Sequence, residues 1–367
     1  MSIPWWHPEL GDNEKVMLGK VIDRQFPNHS IYTVEFEQKV AALCGVPYAV
    51  AVTSGTAAIF LSLKAAGIGP GDEVIVPDVT FIATGHAVSL TGATLVLADV
   101  KADDLTIDPK AVERAITPKT KAIIPVHVSG RAASLDQLLD ICKTHNVYLI
   151  EDAAEALGSH YKVKPLGSFG FAGCFSFTAT KLVTTGQGGV VVMNDEETYY
   201  AIRALRDHGR PNRGSGTNDI HDTIGYNFKF TDLQAAVGIA QLETLQSRLD
   251  KQKRLYRQYY EGLKDVFEIQ LLPFDVHNGE SPLWVDAFAE KRDQLLEFLS
   301  QNGIETRKFW FPLHQQKPYR ADDKLFPVTT DVTKKAFWLP SALSLTPEDI
   351  SYVCQKIKSF YQTSLHA

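Results

Sequence analysis

Cysteine is scarce in this chain: four among 367 residues, Cys44, Cys142, Cys174 and Cys354, all far apart. They form no metal-ligand pair, and they read as small buried residues of a protein kept in a reducing compartment. Long apolar runs are missing too, so no segment is expected to cross a bilayer. The formal net charge of −6 is mild and spread along the chain. No basic run suggests a nucleic-acid partner, and no acidic block reads as a tail. The N-terminal stretch places Trp5, Trp6 and His7 ahead of acidic residues. It lacks the charged-then-apolar order of a secretion signal. Internal repeats and low-complexity segments are absent as well. These absences leave a cytoplasmic globular protein as the expectation, with neither membrane nor nucleic acid among its partners.

What is present points to a layered α/β protein. A chain of 367 residues exceeds the usual span of one hydrophobic core. A large domain (1–263, including the N-terminal segment) and a smaller C-terminal α/β domain (264–367) are therefore expected. Apolar and charged fractions of 44% and 22% are ordinary, which permits a sizeable core and argues against wholesale disorder. Short apolar runs at 73–77, 94–98, 121–126 and 147–150 read as buried strands, and 173–177 and 189–193 follow as further candidates. Helix-like stretches at 56–66, 82–91, 109–116 and 134–145 precede the first four in turn. Strand, helix, strand, repeated several times, predicts a mostly parallel central sheet covered by helices on both faces. The segment 207–218 is rich in Gly, Asn and Arg without periodicity, the mark of a long exposed loop of a functional kind. From 231 to about 263 the pattern is helical, long enough for a spine helix with room for one break. Beyond it come a polar turn at 275–281, a strand at 284–288, a helix at 291–301 and a closing helix at 347–361.

Several residues near the expected strand ends carry chemistry. Lys181 lies in C-F-S-F-T-A-T-K-L-V-T-T-G-Q-G-G, at 174–189. A strand, a polar turn and a Gly-rich exit would hold an amine rigidly at a sheet's edge, although a loop lysine taken alone is usually a solvated surface charge. Such an amine is a neutral nucleophile only when desolvated or set near positive charge. Asp152 follows the run V-Y-L-I and Glu151. Ligands of open parallel sheets bind outside the carboxyl ends of strands, where Asp152 would sit; a helix N-cap is its other reading. Glu155 shares a face with Asp152 if a helix starts there, and is equally a capping-type glutamate. Ser54, Gly55 and Thr56 open a helix whose free N–H groups and dipole attract a dianion, but S-G-T is also a good N-cap. Ser176 can add a hydroxyl. Phe81, after the strand at 73–77, offers either a stacking surface or a core residue.

An amine, a carboxylate, a phosphate cradle and a flat surface are what pyridoxal 5′-phosphate (PLP) requires of a protein, the electron sink being the cofactor's own ring. All four fall at expected carboxyl ends of strands. No metal is called for.

The string F-S-F-x-x-x-K-x-x-T-T-G-x-G-G, with E-D-A-A-E-A-x-G-S upstream and G-Y-N-F-K-F-T-D-L-Q-A-A downstream, resembles the DegT-type sugar aminotransferases. The likeness runs from Pro4 to Tyr361 and implies the PLP-dependent transferase fold type I. It implies Lys181 as the Schiff-base amine that later moves the proton, Asp152 on the ring nitrogen and Phe81 stacked on the ring. Ser54, Gly55, Thr56 and Ser176 would hold the phosphate, and Glu155 could reach the ring hydroxyl. Asn227, in the G-Y-N string, would reach the phosphate from the neighbouring subunit of a homodimer with shared active sites; an Asn in a turn before a helix is also common.

Most family members carry glutamine where this chain has Glu155. Glutamate there resembles the perosamine-synthase branch, as do I-E-T-R at 304–307 and the stretch ending P-L-H at His314. Ser30 stands where many relatives place glycine, in a loop before Phe36 and Glu37 that shapes the nucleotide-sugar entrance. A lysine at 181 argues against the related dehydratases, which carry histidine. The implied reaction moves an amino group from L-glutamate to a nucleotide-linked 4-keto-6-deoxy sugar. GDP-4-keto-6-deoxymannose is the first choice, with dTDP- or UDP-linked sugars as the alternative and a non-catalytic regulator on the same fold as the rival of another class. Arg307, His314 and the 207–218 loop are the candidates for the sugar-nucleotide side, each also readable as structural. For His314, the place after Pro312 suggests a loop and not an apolar face.

Overall fold

Runs of small and branched apolar residues alternate across a strand with period two, and here they supply both faces of a sheet at once. The structure, a computed structural model, describes residues 2–211 and 219–363, so most of the 207–218 loop lies outside the described residues. In chain order come α1 (Asp12–Asp23), α2 (Ile31–Leu43), β1 (Tyr48–Val52), α3 (Gly55–Ala65), β2 (Glu73–Pro77) and α4 (Ala83–Thr91). Next are β3 (Thr94–Ala98), α5 (Pro109–Ala115), β4 (Thr120–Ile123), α6 (Leu135–His145) and β5 (Tyr148–Asp152). A small hairpin, β6 (His160–Tyr161) and β7 (Lys164–Pro165), precedes β8 (Ala172–Ser176), β9 (Gly189–Met193) and α7 (Glu196–Arg206). Then follow α8 (Asp232–Glu243), α9 (Leu245–Leu263), β10 (Ile269–Leu271), β11 (Val285–Ala289) and α10 (Arg292–Gln301). The chain closes with β12 (Arg307–Lys308), α11 (Pro327–Lys335), β13 (Ala336–Leu339) and α12 (Pro347–Thr363).

Seven strands form the main sheet, in the order β1-β9-β8-β5-β4-β2-β3. Only β9 is reversed: it pairs antiparallel with β1 and β8, while the remaining neighbours are parallel. Ala49 and Ala51 enter the core on one face and Val50 and Val52 the core on the other. The first core is covered by residues of α2, α5, α6, α8 and the start of α9, the second by α3, α4 and α7. This is the mostly parallel, two-faced sheet that the alternation predicts.

The reversal of β9 positions the site. Strands β8 and β9 lie side by side and antiparallel, so the chain between Ser176 and Gly189 must turn back at the edge where β1, β2 and β5 also end. Lys181 lies in that return.

A second sheet, in the order β10-β11-β13-β12, is antiparallel throughout. With α10 and α12 it makes the smaller C-terminal α/β subdomain. Helix α9 serves both units: Leu245 and Leu249 join the large core, whereas Leu255, Tyr256, Tyr259 and Leu263 join the small one. The start of the chain joins the small core too, since Ile3 is buried in it and bridges Ile304 in parallel. A cut after residue 263 therefore leaves five residues of the smaller core in the larger segment. The helix expected from 231 is broken once, at Thr244, whose φ of −102° and ψ of 4° leave the helical range. All four cysteines are buried and unpaired. Among the described residues, no helix is long and apolar enough to cross a membrane.

Candidate active site

The loops leaving the carboxyl edge of the main sheet surround a cavity of about 420 Å³, a volume suited to a small-molecule ligand. Lys181 lines it. Its side chain is 13% exposed, and Nζ donates to Glu155 Oε1 at 3.1 Å. The same nitrogen stands 5.1 Å from the centre of the Trp284 ring. The turn around it is pinned twice: Lys181 N–H donates to the Thr178 carbonyl at 3.0 Å, and the Trp6 indole donates to the Ala179 carbonyl at 3.0 Å. This lysine is not a solvated surface charge.

Asp152 is the last residue of β5 and is buried. Its Oδ2 accepts the Thr84 hydroxyl at 2.7 Å, and Oδ1 accepts the Ala154 N–H at 3.2 Å. Burial pushes its carboxyl above the usual range, with the Thr84 hydrogen bond and the Lys181 charge pulling the other way. Burial likewise raises Glu155, offset by Lys181 and by the Ser129 N–H that Oε2 accepts at 2.9 Å. The segment after β5 is a series of turns and not a helix. The shared helical face and both capping readings of Asp152 and Glu155 are therefore not realised; burial and the lysine bring the two carboxylates together instead.

The cradle at 54–56 does begin a helix. Ser54 caps α3, its hydroxyl accepting the Ala57 N–H at 3.1 Å. The first-turn N–H groups have no partner inside the helix. A Cβ on Gly55 would stand 3.0 Å from Ser176 Cβ, and one on Gly189 would stand 2.2 Å from the Ser54 carbonyl oxygen. Glycine is needed where the ends of β1 and β8 and the start of β9 converge, and the product is a bay rimmed by Ser54, Gly55, Thr56 and Ser176. A helix N-terminus with hydroxyls around it fits a phosphate dianion. A buried acceptor such as Asp152 fits a protonated ring nitrogen. Phe81 follows β2, is 55% exposed, and lines the same cavity instead of entering the core.

The opposite wall comes from the C-terminal unit. Trp284, Arg307, Trp310 and Trp338 line it. Arg307 places its guanidinium 4.9 Å from the centre of the Trp5 ring and 5.7 Å from that of Trp338. All five tryptophans meet here, with Trp284 and Trp338 5.0 Å apart and Trp310 5.3 Å from Trp338. Sequence reasoning missed the three cavity-lining tryptophans, along with Thr84 and Ser129. The string F-W-F-P-L-H, which carries Trp310 beside His314, was the one available signal.

Two expected residues are elsewhere. His314 is fully buried, with Nδ1 at 2.5 Å from Asp78 Oδ2 and Nε2 at 3.1 Å from Asp323 Oδ1. It does lie in a short turn after Pro312, but both ring nitrogens find carboxylates, and the residue does not line the cavity. Its work is to hold the loop after β2 against the C-terminal unit. Asn227 lines a larger cavity of about 830 Å³ together with Arg206, Asp207, Arg210 and Lys229. The larger opening is thus not the one that holds Lys181, and Asn227 lies outside the cavity of its own chain's lysine. Ser30 precedes α2 without a capping hydrogen bond from its side chain and donates its N–H to Asp232 at 2.8 Å.

A family model, the DegT/DnrJ/EryC1/StrS aminotransferase family, matches residues 8–358. The chain belongs to that family. Within it, the chain is 35% identical over 361 residues to a GDP-perosamine synthase of Escherichia coli O157:H7, covering 98% of each. It is 36% identical over 356 residues to the GDP-perosamine synthase of Caulobacter vibrioides, covering 94% of this chain and 95% of the relative. Among solved structures, DesV of S. venezuelae in complex with a ketimine intermediate superposes with a TM-score of 0.92 at 32% identity, covering 98% of both chains. Fold type I and the perosamine-synthase-like character of the sequence are thereby shown.

Proposed function

We propose that this member of the DegT/DnrJ/EryC1/StrS family is a cytoplasmic PLP-dependent aminotransferase. It takes an amino group from L-glutamate and gives it to a nucleotide-linked 4-keto-6-deoxy sugar, GDP-4-keto-6-deoxymannose, to make GDP-perosamine. The observation that carries the reading is the largely buried Lys181 amine, 3.1 Å from Glu155, in one cavity with Asp152 and the 54–56 bay. The substrate rests on the relatives named GDP-perosamine synthase.

PLP, when bound, would supply the electron sink through which the amino group of one substrate and the carbonyl oxygen of the other change places. Lys181 would hold the cofactor through its amine, and the same Nζ, when free, is the group placed to take up and return a proton. Asp152 would keep the ring nitrogen protonated, Phe81 would offer the flat surface against the ring, and Ser54, Gly55, Thr56 and Ser176 would hold the phosphate. Glu155 accepts the hydrogen bond of the Lys181 amine and would be within reach of the ring hydroxyl. Asn227 reaches the phosphate of a second subunit, so the working unit is a homodimer with shared active sites. Arg307, a cation that lines the same cavity as Lys181, would bind an anionic part of a substrate. The residues up to 263 carry the cofactor, and those from 264 close over it.

The test is mass spectrometry of products from L-glutamate with a panel of GDP-, dTDP- and UDP-linked keto sugars. A 4-amino product from the GDP-linked sugar alone is the expected outcome. Amination of a dTDP- or UDP-linked sugar instead moves the substrate, and 2-oxoglutarate release without any aminated sugar overturns the reading.

A further inference from the structure

The group that holds Glu155 from behind is Ser129, a residue outside every strand-end pattern. Its backbone is at φ 53° and ψ 20°, the left-handed region that a serine rarely adopts. Several contacts keep it there. The Ser129 hydroxyl donates to Asp286 Oδ1 at 2.7 Å, and the Leu283 N–H donates to the Ser129 carbonyl at 2.8 Å. Asp286 Oδ2 accepts Arg131 Nη2 at 2.8 Å, and Arg131 also donates to the Pro273 carbonyl at 2.7 Å and the Asp104 carbonyl at 3.1 Å. Ser129, Arg131 and Asp286 are all buried. Gly130, next in the chain, approaches so closely that a Cβ on it would stand 2.1 Å from the Ser281 carbonyl oxygen. The loop bearing Ser129 is thus clamped onto β11 of the C-terminal unit, while its N–H points back to Glu155.

We propose that Ser129 and Asp286 are positioning residues through which the C-terminal sheet sets the orientation of Glu155 and, with it, the protonation of the Lys181 amine. The inference deepens the function proposed above, since it takes Lys181 as the reactive amine. Glu155 and Asp152 carry their charges to that amine from the last residue of β5 and just beyond it, Arg307 of β12 lines the same cavity, and Arg248 of α9 donates to the Leu182 carbonyl at 2.9 Å. His127 stands behind, bonded to Glu151 at 3.0 Å. Burial already pushes the Glu155 carboxyl up, so without the Ser129 N–H it takes a proton more readily. The amine at 181 then loses the carboxylate that accepts its hydrogen bond as a counter-charge.

The experiment is competitive acetylation of the cofactor-free full chain across pH, with the Lys181 peptide followed by mass spectrometry. Ser129→Ala and Asp286→Ala are expected to move the measured midpoint of Lys181 acetylation to lower pH. Ser129→Gly, which keeps the left-handed backbone without strain, is expected to stay at the wild-type midpoint. In a Glu155→Gln background, Ser129→Ala is expected to add nothing. An unmoved midpoint in Ser129→Ala overturns the proposal, as does an equal shift in Ser129→Gly or a shift that survives Glu155→Gln. If Asp286→Ala does not fold, the two Ser129 variants decide. Failure of the functional reading is a separate result: borohydride after incubation with PLP would then leave Lys181 of the wild type unlabelled.

Discussion

The two walls of the candidate site are built by different rules. On the main-sheet wall, Ser54, Phe81, Asp152 and Ser176 each stand at or within a few residues of a strand's end. Parallel strands put those ends on one edge, so residues scattered along the chain become neighbours by topology alone. The C-terminal wall has no such rule. Trp284, Arg307 and Trp338 come from or beside an antiparallel sheet of short strands, where a one-residue change of register would turn every side chain to the other face. One wall is a list of motifs, and the other is a packing arrangement.

The difference can be tested by breaking each wall in turn. Lys181→Ala strikes the first hardest: transfer from glutamate is expected to fall at least about a thousandfold, and borohydride should leave no stable adduct. A persisting adduct would assign the cofactor to another amine. On the second wall, Trp338 is buried against Trp5, Trp284, Phe309 and Trp310. Trp338→Ala is expected to cost about 3–5 kcal/mol in denaturant melts, against about 0.5–1.5 kcal/mol for Ile150→Val behind the first wall. Equal costs would mean that the second wall is no better packed than an ordinary core edge.

Arg307→Met tests whether the second wall binds as well as packs. KM for one of the two substrates is expected to rise about tenfold with kcat changed little, the pattern of lost ground-state binding. A fall in kcat with KM unmoved would place Arg307 in the chemistry instead.

The smallest effect is one of sign. Asp152 is raised in the folded chain by burial, so its ionised form costs stability at neutral pH and that cost disappears below its unfolded value. In the cofactor-free protein, Asp152→Asn is therefore expected to melt higher than wild type at about pH 8, with the gap closing toward about pH 4. A variant less stable than wild type across that range would show that the Thr84 and Ala154 hydrogen bonds outweigh the burial cost.

Much of the fold was legible. The strands at 73–77, 94–98 and 189–193 appear with those bounds, and the others lie within a few residues of the expected ones. Lys121 to Val126 forms a strand only as far as Ile123, because Pro125 has no N–H to give the ladder. Helix α2 went unread: Phe36, Val40 and Ala41 are buried beside Thr33 and Glu37, so no clean polar face marks its period. Helix α7 and strand β13 were also missed, β13 because Ala336, Phe337, Trp338 and Leu339 are buried on both sides and show no alternation.

Of the expected site residues, the cavity gathers Lys181, Asp152, Glu155, Ser54, Gly55, Thr56, Phe81, Ser176 and Arg307, and it leaves out Asn227 and His314. The capping alternatives for Asp152 and Glu155 could not be settled by sequence, since a turn and a first helical turn favour the same residues.

By itself the sequence determined which segments become strands, which end of each strand carries a polar cluster, and that Lys181 would lie in a Gly-rich return. Those are local properties, set by neighbours within a few residues. Tertiary structure alone decided that His314 would be consumed by Asp78, 236 residues away, and that Ser129 would be tethered to Asp286, 157 residues away. The physical reason is that a buried polar group must find a partner wherever packing brings one, and no local pattern records which distant carboxylate that will be.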